Sequence, residues 1–385
     1  LGIGFCGDCP YRDARQLPSV WTNFGSFLSG MQPKLRTKLA FGHEEPDRVP
    51  IDYMANPGID RRLKQYFGLG PDDGEALRER LHVDFRAVKV PYVGPELHEA
   101  LPDRRIDMWG IHTRWVEHKS GGYWDYCDFP LQEADLETAK RWPMPDPDDF
   151  DYEAAAEEAR RHGDFAVVAG DPGFADIINM TGMMRTMEQA LIDLMTDEAA
   201  GLCLIDRRIE IQLEVLRRFF EAAAGAIDLL WIGEDLGTQI GPMLSPDLYR
   251  KHLKPRHGRF VDLATSYGIP VMFHSCGSSS WVFDELIELG VTVIDTLQPE
   301  ARNMSPEYLK SRFGDRLSFH GCISTAGAVT YGTPDEVTRV VRETLEVMKD
   351  HGGYALAPTH WLQDNSPVEN VVAMYEAAIE FGRYE

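Results

Sequence analysis

The chain has 385 residues, and 62 acidic against 39 basic side chains leave a formal net charge of −23, with 43% hydrophobic and 10% aromatic content. This composition excludes a disordered chain, a small disulfide scaffold and a membrane protein, since no run approaches the roughly 20 uninterrupted apolar residues of a bilayer span. The negative excess, with a sequence pI near 4.9, opposes attraction to a phosphate backbone or an anionic membrane, so neither is an expected partner.

At the N-terminus, Leu1-Gly2-Ile3-Gly4-Phe5-Cys6 shows no basic region followed by an apolar core. No export signal is expected, and the protein is placed in the cytoplasm. Six cysteines in so long a chain do not make a disulfide framework, so thiols or metal ligands are the expectation. Cys6-Gly7-Asp8-Cys9 has redox spacing but stands in a Gly-rich stretch with no strand before it. Residues 1–33 therefore read as an N-terminal extension and 34–385 as one domain.

Along that domain, short β-branched runs alternate with amphipathic helical stretches. Eight strands are expected: Val49 to Met54, Phe85 to Val90, Phe165 to Ala169, Asp228 to Ile232, Pro270 to His274, Val291 to Thr296, Leu317 to His320 and Tyr354 to Ala357. Helical patterns cover Glu198 to Ala224, Pro246 to Tyr267, Ser279 to Leu289, Pro334 to Asp350 and Pro367 to Phe381. Ser245 and Thr333, each ahead of a proline, read as N-caps with Pro in the first turn. The alternation predicts an α/β fold, a single (β/α)8 TIM barrel with its chemistry at the strand C-terminal ends. No Gly-x-Gly-x-x-Gly follows an early strand to favour an open doubly wound sheet. The Trp-, Gly- and Pro-rich stretch from Asp107 to Pro147 breaks the pattern and reads as a hairpin-containing excursion over one rim.

The sharpest local signal is His274-Ser275-Cys276-Gly277, where the fifth expected strand gives way to a loop. Alternate strand residues share a face, so an imidazole and a thiolate two apart can turn toward one ion. Further ligands are offered by Cys322 at the seventh strand and His360 after the eighth, with Gln298 after the sixth. One Cys, one His and a third donor suit zinc with an open position; alternatively, Cys322 is a small buried side chain and His360 a substrate or core contact. Glu234-Asp235, on a Gly-flanked loop after the fourth strand, is the candidate acid–base pair, with a loop-stabilising role as the alternative. Asp171, in Gly170-Asp171-Pro172-Gly173, is a similar candidate whose alternative is turn formation. Met180, Met183, Met184, Met187 and Trp361 read as core or as the lining of an apolar site. Tyr53, Gln239 and Gln363 complete the expected substrate-binding set.

These residues resemble the uroporphyrinogen decarboxylase superfamily, which includes cobalamin-independent methionine synthase and zinc methyltransferases that act between corrinoid proteins and thiols. The resemblance spans about Lys34 to Arg383 and rests on His43-Glu44-Glu45-Pro46-Asp47-Arg48-Val49-Pro50, Gly233-Glu234-Asp235-Leu236-Gly237-Thr238-Gln239, Phe273-His274-Ser275-Cys276-Gly277, Gly332-Thr333-Pro334-Asp335-Glu336-Val337 and His360-Trp361-Leu362-Gln363. True decarboxylases of the superfamily hold a polycarboxylate with an Arg-rich motif, whereas the matching stretch here is Pro50-Ile51-Asp52-Tyr53-Met54-Ala55-Asn56-Pro57-Gly58, which has no arginine. His-x-Cys instead resembles the methyltransferase branch. That branch takes its third zinc ligand from a Cys on the eighth strand, where this chain has His360, and the related synthases add a Glu on the sixth strand, nearest here to Gln298.

The resemblance implies a zinc-dependent methyltransferase, with His274, Cys276 and either His360 or Cys322 as ligands and Glu234 or Asp235 managing a proton. The methyl donor is an ether, thiol or amine type of small molecule, and the acceptor a thiol or a corrinoid carried by a separate protein. Two rivals stand beside it: a metal-free decarboxylase using Asp235 or Asp84, and a ligand-binding barrel without turnover. A homodimer is one expected assembly, with the 107–147 excursion as interface or lid.

Overall fold

Nearly continuous apolar runs are stable as strands only when both faces are covered, which a parallel sheet flanked by helices provides. In the computed structural model, which describes residues 30–119 and 121–384, ten strands form among the described residues. They are β1 (Phe85–Val88), β2 (Arg105–Ile106), β3 (His112–His118), β4 (Gly121–Cys127), β5 (Ala166–Gly170), β6 (Leu229–Gly233), β7 (Val271–Ser275), β8 (Val293–Thr296), β9 (Ser318–Ile323) and β10 (Tyr354–Pro358). Seven of them form one parallel sheet in the order β1-β5-β6-β7-β8-β9-β10, so seven of the eight expected strands are present within a few residues of their expected ends. Residues 1–29, with Cys6 and Cys9, lie outside the described residues.

The first expected strand, Val49 to Met54, is not a regular strand. Its hydrogen bonds to the sheet include Leu356 N to Pro50 O, Asp52 N to Leu356 O and Leu362 N to Met54 O on one side and Asp84 N to Ile51 O on the other. Pro50 has no N–H to offer a ladder, and only isolated bridges remain. The architecture is therefore an α/β fold on a curled, seven-stranded parallel sheet, TIM-barrel-like, with this extended segment bonded to β10 on one side and to the residue before β1 on the other.

Alternation along the strands sorts the core into two layers. Phe85, Val168, Trp231, Met272, Val293 and Ala355 pack together inside the curl. Val167, Ile232, Phe273, Ile294 and Phe319 face outward into the larger cluster under the helices. Among those helices, Ala199–Ala223, Pro334–Met348 and Val368–Phe381 match expectation closely. The expected helix from Pro246 to Tyr267 is interrupted by a π-helical turn, Tyr249–Leu253, which ends two positions before Pro255, whose ring nitrogen cannot continue the ladder. Ser245 and Thr333 cap as expected, Thr333 in a reciprocal box with Glu336.

The excursion contains the expected hairpin: β3 and β4 pair antiparallel, with β2 at the edge. Trp109, Ile111 and Leu131 anchor it to Ala200 and Leu204 of the long helix, and Met180, Met183 and Met184 join this satellite core. No helix among the described residues is long and apolar enough to cross a membrane.

Candidate metal centre

On β7, Met272 faces the inner core and Phe273 the outer one, so His274 and then Cys276 return to the inside. Cys276 Sγ lies 3.4 Å from His274 Nε2. Asp235, on the loop after β6, brings Oδ1 to 3.7 Å from the same nitrogen and accepts the Cys276 N–H at 3.0 Å. Ligand atoms of these three residues all lie within 4.8 Å of one another. Around a tetrahedral zinc an N–S pair of donors stands about 3.5 Å apart and an N–O pair about 3.3–3.5 Å, so the sulfur–imidazole separation matches that ion and the carboxylate stands a few tenths of an ångström further out, while the His, Cys and carboxylate chemistry suits it.

Behind His274 runs a buried polar chain. His274 Nδ1 lies 2.5 Å from Asp295 Oδ2, Asp295 Oδ1 lies 2.7 Å from His320 Nδ1, and His320 Nε2 lies 3.2 Å from Asp52 Oδ2. The sheet register makes this possible, because His274 on β7, Asp295 on β8 and His320 on β9 are side-by-side Cα partners. Ionised carboxylates only accept, so an imidazole between two of them carries a proton on each nitrogen. Burial opposes that charge, yet the bonds to Asp295 and Asp52 outweigh it and hold the His320 pKa at about 9. Burial likewise opposes the charge on His274, but the hydrogen-bonded Asp295 carboxylate holds its pKa above the ordinary value. Desolvation pushes the Cys276 thiol up against the pull of His274. A metal here therefore displaces a proton from imidazole and thiol.

The acidic pair divides. Asp235 faces the centre, where the charge of His274 and the Cys276 N–H overcome desolvation and lower its pKa. Glu234 turns into the fold, wholly buried, accepting from Ile177 N at 2.7 Å and Ile178 N at 3.0 Å. Burial raises its pKa to about 7. Asn179 Nδ2 joins the two sides, donating to Asp176 at 2.8 Å and to Asp235 at 3.2 Å.

The remaining expected residues scatter. His360 is exposed at the rim, its Nδ1 3.3 Å from Gln363 Nε2, and partial desolvation followed by the charge of His274 lowers its pKa. Gln363 also donates to Trp361 O at 2.7 Å, and Trp361 is 47% exposed. Cys322 is not brought to the centre: Gly321 and Cys322 both take positive φ, 122° and 71°, which breaks the alternation after His320 and turns the thiol into the outer core. Gln298 Oε1 accepts from Gly277 N at 2.7 Å, shaping the Cys276 loop. The carboxylate that the sixth expected strand does bring to His274 is Asp295, three residues earlier. Tyr53 donates to Asp60 Oδ1 at 3.0 Å, and Gln239 is exposed. Asp171 makes the turn alternative, accepting from Gly173 N at 2.9 Å and pairing with Lys89 at 2.5 Å. Asp84 sits at the opposite end of the sheet, held by Arg36 at 2.6 Å and Arg48 at 2.8 Å. Asp295, His320 and Asp52 were not selected from sequence, although a lone Asp within Val293-Ile294-Asp295-Thr296 is the mark of a partnered buried charge.

The uroporphyrinogen decarboxylase (URO-D) family model matches residues 174–381, more than half of the chain and all of the strands that carry the centre. The chain belongs to this family. Among solved structures it is similar to a methyltransferase from Methanosarcina mazei, with 20% identity over 91% of this chain and 99% of that one and a TM-score of 0.60, a likeness that shows the fold. A second similarity, to the apo form of 3-keto-D-glucoside 4-epimerase YcjR from E. coli, has 15% identity over 66% of this chain and 86% of that one, with a TM-score of 0.34. No curated protein matches the chain.

Proposed function

We propose that the chain is a zinc-dependent methyltransferase of the URO-D family, with His274, Cys276 and Asp235 holding the ion. The observation that carries this reading is the convergence of ligand atoms of His274, Cys276 and Asp235 within 4.8 Å of one another, with Cys276 Sγ 3.4 Å from His274 Nε2. The methyltransferase from Methanosarcina mazei, similar in fold, supports the reaction class. Bound zinc supplies a lowered pKa to a coordinated thiol, or Lewis acidity to an ether oxygen.

The protein's own groups do the rest. Asp295 accepts the Nδ1–H hydrogen bond of His274 and leaves Nε2 toward the centre. Asp235 orients the Cys276 loop by accepting the Cys276 backbone N–H, and Asn179 holds its other oxygen. His360, Trp361 and Gln363 form the rim that meets the substrate, a small methylated ether, thiol or amine. The acceptor is a thiol or a corrinoid carried by a separate protein, the enzyme works in the cytoplasm, and the domain begins near residue 34. For the metal-free decarboxylase alternative, Asp84 offers nothing at this end of the sheet.

Metal analysis of protein purified without chelator tests the reading. About one zinc per chain is expected, lost in His274→Ala; an absence of zinc from the wild-type protein, or its retention in the variant, removes the proposal.

A further inference from the structure

Resting on that reading of the centre, we propose that His320 is a positioning residue: clamped between Asp52 and Asp295, it orients the Asp295 carboxylate so that His274 presents Nε2 to Cys276 and Asp235. Asp295 has no solvent exposure, so water cannot share its oxygens, and each has one imidazole partner, His274 on Oδ2 and His320 on Oδ1. Two bonds on two oxygens fix the rotation of the carboxylate, which a single bond to His274 would leave free. His320 is itself fixed. Its far nitrogen reaches Asp52 Oδ2, and Asp52 Oδ1 is held by Tyr53 N at 2.7 Å. The edges of Phe85 and Trp231 hold the ring plane, with centroids at 5.5 and 5.6 Å and interplanar angles of 78° and 72°.

A buried ion pair is a weak source of stability, because apolar residues of similar volume often serve as well. Filling the inner core does not by itself account for placing two carboxylates and an imidazolium there. Orientation of a ligand by its outer partner does, and loss of such a partner typically weakens metal binding about 10- to 100-fold.

The test uses the full-length protein with selectively ¹⁵N-labelled histidine and two substitutions. His320→Asn places an amide where Nδ1 stands and still donates to Asp295; His320→Gln reaches toward Asp52 and leaves Asp295 with one partner. Zinc affinity, by competition with a chromophoric chelator, is expected to fall about 10- to 100-fold in the Gln variant and to be largely restored in the Asn variant. The Nδ1–H resonance of His274 in metal-free protein should shift in the first and hold in the second. Wild-type affinity and an unmoved resonance in the Gln variant overturn the proposal. If wild-type protein binds no zinc, the preceding reading fails, and the His274 resonance still decides whether His320 sets its orientation. Should neither variant fold, the wild-type ¹⁵N shifts decide: a His320 ring lacking a proton on either nitrogen overturns the proposal.

Discussion

His320 has no solvent contact and divides its two ring nitrogens between Asp295 and Asp52, so its charged form depends on the fold. The folded pKa, about 9, lies above the unfolded value of about 6.5, and the native state binds the extra proton between those values. The stability it contributes is therefore complete below about pH 6.5 and is lost as pH rises through 9, on the order of 3 kcal/mol over that window. Thermal melts from pH 6 to pH 10 should show this alkaline decline in the wild type and a shallower one in His320→Gln. Equal slopes would mean that the ring is neutral. At this scale the sequence shows His274 and Cys276 plainly, because spacing of two on a strand is a local property. It does not show His320 and Asp52 as their supports, because those contacts depend on the register between strands and on a segment 268 positions away.

Strand β9 departs most from simple alternation. Gly321 has φ of 122°, and a Cβ added there would stand 2.0 Å from Thr296 O. Gly321→Ala is expected to destabilise by more than about 2 kcal/mol, since strained φ and a backbone clash add together. Thr333→Ala, which removes only the cap of Pro334–Met348, should cost about 1 kcal/mol. Urea unfolding of the two variants checks the order, and a Gly321→Ala protein as stable as Thr333→Ala would contradict the geometry. Parity on an unbroken strand would have kept Cys322 on the same face as His320. The two positive φ values reverse it, and of the two only the glycine is visible as a signal in sequence.

For the molecule as a whole, an acidic excess concentrates cations over the entire surface, and the exposed trio Glu45, Asp350 and His351 offers a second set of ligand atoms within 4.8 Å of one another. Specific binding at His274 is separated from such surface binding by linkage. Free zinc at a hundred times its dissociation constant stabilises the native state by about 2.7 kcal/mol, which for a domain of this size raises the melting temperature by about 3 to 4 °C. That shift is expected in the wild type, reversed by chelator, and absent in His274→Ala; a shift that survives the substitution assigns binding to the surface.

What the amino-acid order determined unaided was local: seven apolar runs as parallel strands, the caps at Ser245 and Thr333, the hairpin, and an imidazole and a thiol on one inner face. These follow from period, propensity and turn chemistry within a few residues. Only the tertiary structure decided that Asp235 stands beside His274 and Cys276 while Cys322 turns into the outer core, and that Glu234 turns into the fold. It also placed Asp295, His320 and Asp52 in line behind His274. The physical reason is that each of those choices is made by neighbours from different strands, brought level by sheet register and held there by the cost of leaving a buried charge unpaired.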